Sequence, residues 1–269
     1  MKIALCFSGN IRDINETKEF WNDLIKKYNI DVYASFWDVE NEKVGDTLNN
    51  FLKIYTPKKY EVEKYDVFKD STQSIASMNI KCPDSLPSFF KHTTKIFGQL
   101  PMWYKIWRCN LLSKQLGIEY DLVIRARTDT VLDENFEIIK NNMLNVPMGV
   151  HSSSFKNSDG INDCFAYAIP KIMDYYSFLY LQIMEYLKAG HYLFTPEHFL
   201  AVHFSKIHIQ IRRFANYMMI TRVSKGGSHE LYNGFVKSPM ETIEWSDDKE
   251  FIPDPFGNFK KEIKNDFIV

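Results

Sequence analysis

An α/β single domain, with a mostly parallel central sheet flanked by helices, is the fold class this sequence predicts. Three observations carry it. Short apolar runs rich in β-branched residues alternate with longer segments of helical periodicity. The chain opens in the order strand, helix, strand, as a parallel α/β unit requires. And 45% of its 269 residues are hydrophobic, with 15% aromatic, enough for a large core in one domain.

Residues 2–7 read as a first buried strand, from which Ser8-Gly9-Asn10-Ile11-Arg12 turns away. Residues 15–28 place Phe20, Trp21, Leu24, Ile25 and Tyr28 near helical spacing, with Asn15 available as N-cap. A strand, a small-residue turn and a helix N-terminus make a site for phosphate through free backbone N–H groups and the helix dipole. No GxGxxG and no GxxxxGK[ST] occurs, so the dinucleotide and P-loop fingerprints are absent. Residues 31–38 form a second strand ending in Trp37 and Asp38. Residues 44–55 look helical up to Pro57, and 59–65 look like an edge strand.

Residues 69–99, rich in Ser, Thr, Lys and Pro, form a long connection of the kind that serves as a lid or stays disordered. Residues 101–116 predict a helix whose stripe of Met102, Trp103, Ile106, Trp107 and Leu111 suits a core better than a ligand platform. Further strands are expected at 122–124, 148–151, 164–168, 207–212 and 217–222, with a polar loop over 152–160. Helices are expected at 170–188, with Pro at its first turn, and from Thr195 (N-cap) and Pro196 onward. From Ser224 the chain is polar and reads as irregular.

The most informative segment is Tyr120-Asp121-Leu122-Val123-Ile124-Arg125-Ala126-Arg127-Thr128-Asp129-Thr130. A buried strand runs directly into two arginines and an aspartate, at the end where open α/β sheets bind ligands. In an extended chain Arg125, Arg127 and Asp129 share one face. Two cations beside a carboxylate suit an anionic ligand together with a metal or a sugar hydroxyl. A strand-end salt bridge holding a loop accounts for the same residues equally well.

Composition narrows the classes. A formal net charge of −1 leaves no electrostatic footprint for nucleic acid. No apolar run approaches the ~20 residues that span a bilayer. Residues 1–7 form a strand pattern without a small-residue cleavage site, which argues against a signal peptide. Cys6, Cys82, Cys109 and Cys164 are widely spaced with no CxxC, so they are expected reduced, mostly buried and in a cytoplasmic setting.

The ordered set of motifs resembles a group of glycosyltransferases of the nucleotide-sugar-binding glycosyltransferase A fold, found in bacterial polysaccharide clusters and in large DNA viruses. The matching residues are Ser8, Gly9 and Arg12; Asp31 and Trp37; then Tyr120, Asp121, Arg125, Arg127 and Asp129. Asn162-Asp163-Cys164-Phe165-Ala166, followed by Met173 and Tyr175, extends the resemblance to roughly two thirds of the chain. The resemblance implies a nucleotide-diphospho-sugar donor, a UDP-sugar first among them, and a glycan acceptor. Residues 1–135 would bind the nucleotide-sugar, through Ser8, Gly9, Arg12, Trp37, Arg125 and Arg127, and 136–269 the acceptor.

It also implies a divalent metal, Mn²⁺ or Mg²⁺, held by an Asp-x-Asp motif, and here the sequence departs from the pattern. Val131 stands where the second Asp belongs. Asp133 would face the same way as Asp129 in an extended segment, and His229 in a late loop is a further candidate ligand. A single carboxylate with phosphate oxygens can suffice for such a metal. Alternatively, Arg125 and Arg127 neutralise part of the diphosphate charge.

Transfer with inversion needs a carboxylate to take the proton from the acceptor hydroxyl. Glu197, in the first turn of a helix well downstream of the arginines, is where this fold commonly keeps its base; a charge complementing the helix dipole is the plainer account. Asp163 is the second candidate, or else a turn residue bonding its own backbone. No HExxH or paired Cys/His spacing points to zinc, and no GxSxG elbow to a hydrolase. Two functions follow: a glycosyltransferase, or a non-catalytic nucleotide- or carbohydrate-binding domain of the same fold, which Val131 favours.

Overall fold

The computed structural model describes residues 1–40, 42, 45–71, 94–133, 135–147, 160–188, 196–214, 218–223, 229–233 and 241–243. Its chain order is β1 (Ile3–Gly9), α1 (Ile14–Tyr28), β2 (Asp31–Trp37), α2 (Leu48–Tyr55), β3 (Lys59–Glu63), α3 (Tyr65–Ser71), α4 (Thr94–Lys114), β4 (Leu122–Ala126), β5 (Thr130–Leu132), β6 (Leu144–Pro147), β7 (Phe165–Ala168), α5 (Pro170–Lys188), α6 (Pro196–Phe204), β8 (Ile211–Phe214), β9 (Met218–Val223), β10 (His229–Asn233) and β11 (Glu241–Ile243).

Eight strands form one sheet in the order β11-β8-β6-β7-β4-β1-β2-β3, so strands from both halves of the chain share it. The segment β3-β2-β1-β4 is parallel throughout, and β6 runs parallel to β8. β7 is antiparallel to both β4 and β6, and β11 to β8. β3 is the edge, as the sequence predicts.

Each face of the sheet carries its own helices. Ala4, Cys6, Val123, Ala166 and Ala168 face a core closed by α4, α5 and α6. Ile3, Leu5, Phe7, Leu122 and Ile124 face the other core, closed by Trp21 and Leu24 of α1 and Phe51 and Tyr55 of α2. Trp103 and Ile106 of α4 are fully packed core residues, as expected. Cys6, Cys109 and Cys164 are free and buried. No helix among the described residues is long and apolar enough to cross a membrane.

Several expectations are corrected. α1 starts at Ile14, one residue before the expected cap; Asp13 stands at the cap in a left-handed conformation and its side chain makes no capping bond. The helix expected from 101 begins at Thr94 and carries Pro101 inside it. β6 was not foreseen, whereas the strand expected at 148–151 and the loop at 152–159 lie outside the described residues. The tail is not irregular throughout: β10 and β11 form because β9 and β8 offer them open edges for antiparallel pairing. β9 also pairs with β5, giving a second sheet in the order β10-β9-β5.

Candidate functional site

β2 and β3 lie on one side of β1, and β4 lies on the other. The order therefore reverses between β1 and β4, and such a switch point opens a crevice at the carboxyl ends of the strands. Ser8 and Gly9 end β1, and Arg125 and Ala126 end β4. Cys6 is level with Arg125, so Ser8 sits further toward the carboxyl edge on the same face.

Arg125 is the central feature. Only 2% of it is exposed, yet none of its three guanidinium nitrogens has a hydrogen-bond partner among the described residues. Ser8, 4% exposed, likewise has an unpartnered Oγ. An isolated buried charge costs several kcal/mol, so native proteins pair such groups. Gly9 has φ +109°, a conformation that favours glycine, and a Cβ placed there would meet nothing within 4 Å. Among the described residues, the space beside Gly9 is open.

The extended chain stops at Ala126, which corrects the expectation that Arg125, Arg127 and Asp129 share a strand face. A turn follows, pinned by Thr128. Its Oγ1 accepts from Arg12 N at 2.9 Å, and its carbonyl accepts from Thr17 Oγ1 at 2.7 Å. Within that turn Arg127 Nε donates to Asp129 Oδ1 at 2.8 Å and Nη2 to Oδ2 at 2.5 Å. This is the strand-end salt bridge of the plainer account. Burial pulls the Arg127 pKa down, but Asp129 more than offsets this and holds it above its ordinary range.

The implied metal does not fit these carboxylates. Each Asp129 oxygen already accepts an N–H of Arg127. Asp133 follows β5 and accepts from Asn135 N at 2.8 Å and Asn135 Nδ2 at 2.9 Å, closing a local turn. Asp129 is in a turn, so strand alternation never brings the two together. Among the described residues no three His, Cys, Asp or Glu gather as a metal group. His229 opens β10, and its side chain lies outside the described residues.

The expected phosphate cradle at α1 is also occupied. Ile14 N donates to Asp46 Oδ1 at 3.2 Å, Arg12 N to Thr128 and Glu16 N to the Asp13 carbonyl. Burial raises the pKa of Asp46, against the backbone N–H groups of Asp13 and Ile14 that bond its carboxylate. With a carboxylate seated there, this helix end repels a phosphate. The Arg12 side chain is exposed beside it. Trp37 is buried in an aromatic cluster, stacked on Tyr104 at 5.7 Å with Lys105 Nζ 4.3 Å from its ring. It packs α4 onto β2 and offers no open face to a base.

Asp163 lies on a turn bonded to the end of β4, and Glu197 docks on the residues just before that turn. Asn162 Oδ1 accepts from Cys164 N at 2.9 Å, a side-chain turn that sets Asp163 at the head of β7. Cys164 O accepts from Arg127 N at 3.2 Å, which ties that head to the end of β4. Asp163 is 4% exposed, and its Oδ1 accepts from the Cys164 thiol at 3.5 Å. Glu197, 9% exposed, occupies the first turn of α6. Its carbonyl accepts from Ile161 N at 3.0 Å, and a Cβ on Gly160 would lie 3.1 Å from Glu197 Cβ. Glycine at 160 therefore lets α6 dock beside the Asn162-Asp163 turn.

Tyr176 of α5 is buried beside this turn, and its hydroxyl donates to the Asp163 carbonyl at 3.5 Å. Burial raises its hydroxyl pKa; Arg125 pulls it down, and Asp163, Cys164 and Glu197 push it up. Sequence reading missed Tyr176, Gly160, Thr128 and Asp46 as builders of the site. Their partners are remote in the chain, and no local spacing signals them.

A recess of about 310 Å³ lies at the opposite end of the sheet, lined by residues including Ser113, Lys114, Glu119, Tyr120 and Pro170. It touches none of the candidate residues, and it sits at the amino end of β4, away from the switch point. Comparison with known protein families matches none of them, and comparison with curated proteins likewise returns no match.

Proposed function

We propose that this chain is a glycosyltransferase that moves a monosaccharide from a nucleotide-diphospho-sugar, a UDP-sugar first among them, to a hydroxyl of a growing glycan, with inversion. One observation carries the reading. A buried guanidinium, without a hydrogen-bond partner among the described residues, ends the strand at the switch point, and that strand end is bonded through Arg127 N and Cys164 O to the turn carrying the buried Asp163. The guanidinium suits a leaving diphosphate, and a carboxylate suits the acceptor proton. In the reaction the acceptor oxygen attacks the anomeric carbon, its proton passes to the base, and the bond to the diphosphate breaks. Glu197 is the first choice of base and Asp163 the second. Arg125 stabilises the charge that gathers on the departing phosphate. Free, buried cysteines accord with a cytoplasmic setting.

A non-catalytic nucleotide- or carbohydrate-binding domain is the second reading. Val131 in the place of a second aspartate favours it, as does the hold of Arg127 on Asp129. A panel of nucleotide sugars, followed for thermal protection and for release of nucleoside diphosphate, separates the two. Protection with release supports the transferase, and protection without release supports the binding domain. Neither effect with any donor would overturn both.

A further inference from the structure

Resting on the transferase reading, we infer that the guanidinium of Arg125 holds the donor diphosphate directly, with no divalent cation bridging it to Asp129. Asp129 is already engaged. It is 1% exposed, and each of its oxygens receives an N–H of Arg127. A cation there would have to share oxygens that already hold Arg127, and would set a dication against that guanidinium. Nor does the turn swing freely. Thr128 is bonded to Arg12 and Thr17 on one side of Asp129, and Thr130 enters β5 on the other. Val131 provides no second carboxylate, and Asp133 is engaged with Asn135.

The leaving diphosphate still needs a positive partner. Arg125 has the required properties: a permanent charge, a planar fork that matches two phosphate oxygens, nearly complete burial and no hydrogen-bond partner among the described residues. Arg127 is a positioning residue here. Its backbone N–H bonds Cys164 O at 3.2 Å, which ties the end of β4 to the Asp163 turn, while its side chain holds Asp129. A buried, preorganised cation favours the anion most when the bond to the sugar is breaking.

The test is a calorimetric titration of uridine and guanosine diphosphates and of inorganic pyrophosphate into the full chain, once in excess EDTA and once with Mn²⁺. The inference predicts that at least one nucleoside diphosphate binds with affinities that agree within about twofold in the two buffers. Arg125→Met should weaken that binding by roughly 10–100-fold, the worth of a bidentate charge-assisted contact. It should also raise the ligand-free Tm by roughly 2–4 °C, because an uncompensated buried charge is removed. Arg125→Lys keeps the charge without the fork, and should bind more weakly than wild type in both buffers. Binding that requires Mn²⁺ would overturn the inference and leave the transferase reading standing, whereas no binding in either buffer would overturn both. An Arg125→Met protein that melts lower than wild type would show the guanidinium engaged inside the fold, and would also overturn it.

Discussion

Glu197 and Asp163 differ in what holds them. Asp163 sits at the head of β7 behind the Asn162 turn, with the Cys164 thiol donating to its carboxylate. Glu197 rides on the first turn of α6, tied to the core through its backbone bond to Ile161. A base acts only on the chemical step, so removing it should depress kcat and leave donor affinity nearly unchanged. Glu197→Gln keeps size and reach, and its kcat is expected to fall by about 10²–10⁴-fold with donor KM within a factor of about three. Steady-state kinetics on the active donor measure this. Near wild-type turnover in Glu197→Gln with loss in Asp163→Asn would move the base to Asp163. Full turnover in both would remove the general-base step from the mechanism.

At the scale of elements, helix and strand identities follow from local pattern, whereas their ends and the site they build depend on distant partners. The run at Ile3–Gly9 and the stripe of Trp21 and Leu24 are legible because core burial needs only apolar spacing. The start of α1 is not, because its capping carboxylate is Asp46, thirty-two residues away. Asp46→Ala should therefore cost roughly 1–2 kcal/mol, by loss of a buried cap. Asn15→Ala, at the position where sequence places the cap, should cost less than half as much. Urea denaturation of the two variants settles the order, and a larger loss in Asn15→Ala would contradict the geometry.

α4 illustrates the same limit. Its pattern announces a core helix, but its docking to β3 relies on charged pairs. Lys105 bonds Glu63 at 2.6 Å, and Arg108 forks onto Glu61 at 3.0 and 2.5 Å. Burial and the Glu63 carboxylate push the Tyr104 hydroxyl up to about 12 in the same cluster. In the candidate site, Arg125 and Asp163 were visible from residue type and strand position. The Arg127–Asp129 pair was visible as one of two accounts, and only the turn at Thr128 decides between them.

Across the whole molecule, acid stability should carry the signature of one histidine. His203 is fully buried; its Nε2–H donates to the Tyr175 carbonyl at 2.8 Å, so its Nδ1 accepts from Tyr186 at 2.7 Å. Burial lowers its pKa from 6.5 to about 4, against the Tyr175 bond. The unfolded chain thus takes up this proton near pH 6.5 while the folded chain refuses it until about 4. Its contribution is present above pH 6.5 and is lost as pH falls toward 4, a change on the order of 3 kcal/mol. Asp46, with a raised pKa, acts in the opposite sense, so the difference between wild type and His203→Gln isolates the histidine. Stability of the variant should fall less steeply with acid between those limits; equal slopes would contradict the burial of a neutral ring.

On the proposed reading the ligand sits where β1 and β4 end, at the point where strand order reverses. Amide hydrogen exchange, with and without the nucleotide sugar that gives the largest thermal protection, tests it most directly. Exchange should slow at residues 8–13, 126–130 and 160–165, with little change at 113–120 beside the recess at the other end of the sheet. Protection confined to 113–120, with none at the ends of β1 and β4, would contradict it.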